Sequence, residues 1–127
     1  MSWPASPSWK NHTRAIAGTT DYQSDLSIEA DYEAANRYKA EWDVYTKTSS
    51  ATIEIREVED IAKRKVFLTC VGATAAAAYE AMMNDAKAVQ ALIQTQDTNV
   101  AAANADPAGG ALTFAASISF TISIATP

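Results

Sequence analysis

The chain has a single cysteine, Cys70, and a single histidine, His12, among 127 residues. One cysteine excludes an internal disulfide, and with it the disulfide-stapled class of small secreted scaffold. No cysteine and histidine spacing of the zinc-binding kind is present. Glycine is also scarce, at four residues. The one adjacent pair, Gly109-Gly110, is followed by neither the Lys-Ser/Thr nor the helix that a phosphate-binding loop requires. No apolar run reaches the length of a membrane span, and residues 1–20 hold no apolar core of a secretory leader. Asn11-His12-Thr13 spells a glycosylation acceptor, which carries no meaning without such a leader. These absences predict a soluble chain with no cofactor, no metal and no membrane partner.

What is present has ordinary globular proportions. Hydrophobic residues make up 48% and charged residues 20%, and the length suits one domain with one core. The formal net charge is -5. A chain of that sign is repelled by polyanions and by anionic membrane surfaces, so specific nucleic-acid binding is not expected.

Residues 1–20 read as an extended N-terminal arm preceding a single domain over 21–127. Trp3, Pro4, Pro7 and Trp9 stand among small and polar residues without a regular period. Exposed indoles waste apolar area, so the arm is expected to dock, either on this chain's own core or on a neighbouring subunit. From Asp21 the period becomes two. Tyr22, Ser24, Leu26, Ile28, Ala30 and Tyr32 occupy even positions, and polar residues occupy the odd ones. The alternation resumes with Tyr38, Ala40, Trp42, Val44, Thr46 and Thr48. This predicts a hairpin closed through Ala34-Ala35-Asn36, with Asn36 in the left-handed region. Its register sets Tyr32 opposite Tyr38, Ile28 opposite Trp42 and Leu26 opposite Val44, and pairs Glu33 with Arg37 and Asp31 with Lys39.

A second hairpin is predicted from Thr52–Val58 and Lys65–Val71 around a turn at Glu59–Lys63. Val66 to Val71 is apolar on both faces and should be central, with cover on each side. Gly72 breaks that strand, and Thr74 caps a helix over Ala75 to about Thr95. Tyr79, Met82, Ala86, Val89 and Ile93 form its apolar stripe. Asp97 to Gly110 reads as a loop. The last segment alternates without interruption, Leu112 to Ile124 on one face and Thr113 to Ala125 on the other. It is predicted to be one strand of about 45 Å. The expected fold is α+β, mainly antiparallel: hairpin, hairpin, helix, long C-terminal strand, with the helix packed on the sheet.

No residue names a reaction. His12 lies in the arm without a fixed partner, and Cys70 sits mid-strand as a core residue. No catalytic, cofactor-binding or metal-binding residue is assigned. The one concentrated charge feature is the acidic row Asp21, Asp25, Glu29, Asp31 and Glu33. A strand lays carboxylates out in a line, whereas a calcium loop converges them. The row is either a solvated sheet face or the wall of a channel past which a polyanion slides.

Three features predict assembly. The odd face of the last strand, carrying Thr113, Ser117, Ser119, Thr121 and Ser123, is small and uncharged, and an edge of that kind invites pairing. The strand Val66–Val71 needs two covers, and one helix supplies one. The arm's Trp3 and Trp9 need something to hold. The acidic hairpin face, the Ala-rich helix Ala75 to Thr95 and the Ser/Thr/Ala-rich strand Ala111 to Ala125, in that order, resemble small bacteriophage virion proteins of the tail-tube, tail-terminator or head-decoration type. The resemblance lies in element order and composition, so it transfers no functional residue. It implies a structural protein located in the virion, partnered by copies of itself and by other structural proteins. For a tail tube it would imply hexameric rings, with strands lining the lumen and the helix outside. An inter-ring loop would then be the Met1 to Thr20 arm or the Asp97 to Gly110 segment. The competing readings are a monomeric binding module, in which Tyr22, Tyr32, Tyr38 and Trp42 line a pocket, and a small enzyme.

Overall fold

In a computed structural model of the chain, residues 3–5, 8–30, 36–45, 50–60, 62–105 and 115–121 are described. They form six strands and one helix: β1 Trp9–Ala15, β2 Tyr22–Glu29, β3 Tyr38–Tyr45, β4 Ser50–Glu57, β5 Arg64–Gly72, α1 Ala75–Ala105 and β6 Ser117–Thr121. One sheet takes all six strands in the order β1-β2-β5-β3-β4-β6. Every neighbouring pair is antiparallel except β3 and β5, which run parallel. The helix packs against every strand on one side of the sheet.

The α+β, mainly antiparallel class holds, but the two predicted hairpins do not. β5 lies between β2 and β3, and β3 lies between β5 and β4. Leu26 is opposite Leu68 rather than Val44. Val66 has Ile28 as partner on one side and Val44 on the other. The alternation had placed these residues on the correct common face, since period two fixes the face of a side chain. It carries no information about which strand lies alongside. Inserting β5 gives the most apolar strand two neighbours, which satisfies its backbone on both sides. β3 pairs antiparallel with the next strand, β4, so that Trp42 faces Ile53 and Ala40 faces Ile55. No described residue other than glycine has a positive φ, so Asn36 is not the left-handed turn residue. Arg37 bonds Glu57 at 2.9 Å, and Lys39 bonds two carbonyls. Asp31, Tyr32 and Glu33 lie outside the described residues.

Within the predicted arm, Trp9 to Ala15 is a strand paired along the whole of its length with β2. Its turn closes through Ile16 N–H to Asp21 O at 2.9 Å, with Gly18 at φ +80°, a conformation in which a Cβ is strained. Trp3 docks on this chain's own core. It stacks on Trp42 at 6.3 Å and meets Trp9 edge-on at 5.8 Å, and the Trp9 indole donates to Pro4 O at 3.0 Å.

The helix runs ten residues past its predicted end, through Ala105. Thr74 Oγ1 accepts from Ala77 N–H at 3.1 Å, the expected cap. Ala78, Met82, Ala86, Val89 and Ile93 face the sheet, while Tyr79 is 43% exposed and belongs to the outer side. Gly72 is where β5 meets the helix start. A Cβ there would sit 2.5 Å from Ala78 N, so only glycine permits the approach. The core between helix and sheet contains Leu26, Ile28, Trp42, Val44, Ile53, Leu68, Met82 and Ile93. The C-terminal strand is much shorter than predicted, five residues, and the rest of 112–125 apart from 115–121 lies outside the described residues.

The polar residues of the last helical turns explain why they continue. Gln96 is fully buried, and its Nε2 donates to Ile53 O at 2.9 Å. Asn99 Nδ2 donates to Gln96 Oε1 at 2.6 Å. Asn104 takes both backbone groups of Tyr38: its Oδ1 accepts from Tyr38 N–H at 2.8 Å and its Nδ2 donates to Tyr38 O at 3.0 Å. β5 pairs with β3 only from Trp42 onward. The Asn104 amide therefore stands where a further residue of a neighbouring strand would pair with Tyr38.

Candidate functional site

The helix covers one side of the sheet, and the other side has no layer among the described residues. That bare face is mostly polar, with Tyr45, Phe67 and Val71 as its apolar members, the first two in ring contact. Odd residues of β2, β3 and β5, and even residues of β1 and β4, point to it. It carries ion pairs between neighbouring strands rather than a row of free carboxylates. Asp25 Oδ2 accepts from Arg14 at 2.5 Å, and its Oδ1 accepts from Thr69 at 2.9 Å and Gln23 at 3.0 Å. Burial pushes the Asp25 carboxyl up, but hydrogen bonds from Gln23, Arg14 and Thr69, with the Arg14 charge, together outweigh it and hold the group below the usual carboxylate value. Arg14 also donates to His12 Nδ1 at 3.2 Å. Glu29 has Lys65 at 3.6 Å. Asp21 sits in the β1–β2 turn. Of the acidic row, then, Asp25 and Glu29 face cations supplied by β1 and β5, and Asp31 and Glu33 are outside the described residues.

A shallow depression of about 170 Å³ on the same face is lined by Glu41, Asp43, Thr52, Glu54, Arg56 and Lys63. Glu41 and Glu54 are directly opposite across β3 and β4, and Arg56 bonds Glu54 and lies 3.6 Å from Glu41, which offsets the like-charge clash. Asp43 pairs with Lys63 at 2.7 Å. Each carboxylate here already has a cation, which leaves it poorly placed to act as a base. Lys39, 1% exposed, is held by the carbonyls of Val58 and Asp60, both at 2.9 Å. It fastens the β4–β5 connection to the sheet.

Cys70 is a core residue, as its strand position predicts. Burial, and then the hydrogen bond and charge of Asp85, push its thiol up to about 12. Its Sγ–H donates to Asp85 Oδ2 at 3.2 Å, so it is a neutral thiol at ordinary pH and a poor nucleophile. Among the described residues no group of three His, Cys, Asp or Glu is placed to hold a metal ion. No helix among them is long and apolar enough to cross a membrane.

The predicted assembly residues divide. Trp3 and Trp9 are used inside the chain, Trp3 buried and Trp9 half-buried on the core. Thr113 and Ser123 are outside the described residues. Ser117, Ser119 and Thr121 are exposed on β6, which is an edge of the sheet. Ile55 N–H donates to Ala116 O at 2.8 Å. Backbone groups alternate sides along a strand, so those of Ser117, Ser119 and Thr121 point away from β4. The opposite edge, β1, exposes Lys10, His12 and Arg14. Charged side chains of that kind are a common guard against edge pairing. Sequence reasoning missed that guard, although Lys10, His12 and Arg14 do alternate with Trp9, Asn11 and Thr13.

No protein family matches the chain, and no curated protein or solved structure matches it either.

Proposed function

We propose that this chain is a structural subunit that self-associates into a larger assembly, of the kind that builds bacteriophage virions, and that it is not an enzyme. The observation that carries this reading is the difference between the two sheet edges. β1 is guarded by three exposed basic or titratable side chains, and β6 is unguarded, with only Ser, Ile, Phe and Thr over its five residues. An exposed, uncharged edge is a hazard in a monomer and a joint in an assembly. The bare face supplies a further surface whose charges are balanced strand by strand, suited to lie against a neighbour or to face solvent.

The virion assignment adds to this the sequence resemblance in element order. Its partners are copies of the chain and other structural proteins of the same particle. The pocket required by a monomeric binding module is disfavoured, because Tyr38 and Trp42 are buried in the core. Light scattering across a concentration series, with negative-stain microscopy, tests the proposal. Concentration-dependent mass and rings, tubes or sheets are expected. A constant monomer mass up to millimolar protein, with featureless grids, would overturn it.

A further inference from the structure

We infer that β6 pairs with β6 of a second copy, antiparallel about a two-fold axis passing at Ser119. This rests on the assembly reading and names its contact. The outward backbone groups of the edge belong to Ser117, Ser119 and Thr121, and no hydrogen bond among the described residues reaches them. An axis at Ser119 sets Ser117 opposite the partner's Thr121, Ser119 opposite itself and Thr121 opposite the partner's Ser117. All three are then hydrogen-bonded pairs, each exchanging two bonds, and no outward group of the strand is left over.

The same register matches both faces. On the bare side it brings hydroxyl against hydroxyl, a favourable cross-strand combination. Within one chain Thr52 Oγ1 already lies 3.3 Å from Ser119 Oγ, which shows the same pattern one strand further in. On the helix side it brings Ile118 against the partner's Phe120, and both are only half-buried in one copy. A slip by one residue would set hydroxyls against apolar side chains.

Charge selects a second copy over other occupants. Two chains of net charge -5 repel at a distance, so contact between copies is favoured where charge is locally absent. β6 has none. Pairing β1 with another β1 would bring Lys10, His12 and Arg14 against one another. An isologous contact of this kind makes a closed two-fold dimer, the commonest symmetric homo-oligomer, and a ring or tube adds a second contact to it.

Cysteine cross-linking tests the register. The Cα atoms of a hydrogen-bonded antiparallel pair are about 5.5 Å apart, inside the range a disulfide spans. Ser119→Cys is therefore expected to give a covalent dimer under mild oxidation. Ser117→Cys alone is not, because its copies lie about 13 Å apart in this register. The pair Ser117→Cys with Thr121→Cys is expected to cross-link again. The native chain is the control, since its one thiol is buried. Ser119→Pro removes an outward N–H and no bond to β4. It should weaken the dimer at least tenfold in scattering while leaving the far-ultraviolet circular dichroism unchanged. If the native chain assembles but Ser119→Cys does not cross-link, or Ser117→Cys alone does so more readily, the β6 pairing is wrong and the assembly reading stands. If the native chain stays monomeric at every concentration, both fall.

Discussion

On the helix side of β3, Trp42 and Val44 are 1% exposed and sit among Trp3, Val66 and the helix. On the other side of the same strand, Glu41 and Asp43 reach Arg56 and Lys63 in solvent. The backbone is shared, so the difference between the faces is a difference in side-chain energetics alone. Burying a large apolar side chain contributes about 1.5–3 kcal/mol. An exposed ion pair contributes roughly 0–1 kcal/mol, because water screens it and ordering two long side chains costs entropy. The covered face therefore holds the fold. The bare face contributes little to stability and is free to change without unfolding the chain.

The sharpest way to break the comparison is to empty the covered face. Trp42→Ala removes the ring on which Trp3 stacks and leaves a cavity under the helix. A loss of about 3–5 kcal/mol is expected in denaturant unfolding, with weaker protection of the first residues against proteolysis as Trp3 loses its seat. A loss below about 1 kcal/mol would mean that Trp42 is not the centre of the core.

The helix divides the covered face again. Its first half meets the sheet with Met82, Ala86, Val89 and Ile93, and its last turns meet it with Gln96, Asn99 and Asn104. Asn104→Leu removes the amide, and with it the two bonds that Asn104 makes to Tyr38 N–H and O. Unmade buried backbone bonds cost about 1–3 kcal/mol, and the Tyr38 amide should exchange faster with deuterium. A neutral result with unchanged exchange would show that water replaces Asn104 freely.

This half of the helix is also where sequence reading failed. Polar residues at 96, 97, 98, 99 and 104 look like a loop by composition, and the apolar stripe does thin out. They are helical because the buried stripe goes on through Val100 and Ala103, and because the amides of Gln96 and Asn104 pair with the backbone of Ile53 and Tyr38, roles invisible without the strand order. The earlier turns were legible, since an apolar stripe at helical spacing has one physical meaning. The strands were legible as faces and illegible as neighbours. Leu26, Trp42, Val44 and Leu68 share one side as the period-two pattern requires. Their partners depend on long-range order, in which β5 entering between β2 and β3 gains two ladders at once. Of the candidate site, the uncharged run at Ser117, Ser119 and Thr121 was visible in the sequence. Its place at an edge, and the guard on the opposite edge, emerged only from the strand order.

Asp25 is a half-buried carboxylate of the bare face, and it sharpens the comparison through pH. Its folded value lies below the ordinary carboxylate value. Its contribution is therefore present above the unfolded value and is lost as pH falls through the folded one. Asp25→Asn should remove that acid-side slope and cost about 1 kcal/mol at neutral pH, by analogy with a single charged hydrogen-bond network. Arg14→Ala should shift the slope to higher pH, because it removes both a donor and a charge. Unfolding measured from pH 2 to 7 checks both. A slope unchanged in Asp25→Asn would assign acid sensitivity to another group.

The smallest effect is expected where both partners are widest open. Lys65 and Glu29 are 63% and 72% exposed at 3.6 Å, on strands whose opposite sides hold Val66 and Ile28 in the core. Lys65→Ala leaves those core neighbours and the β2–β5 ladder untouched. Its stability should stay within about 0.5 kcal/mol of the native chain, and the difference should shrink further in molar salt. The same substitution makes the local charge on the bare face more negative by one. If that face lies against another copy in the assembly, Lys65→Ala will alter the scattering mass at low salt while leaving the unfolding midpoint where it was. A large change in the midpoint instead would mean that the bare face carries stability of its own, and that the two sides of the sheet are less different than their burial indicates.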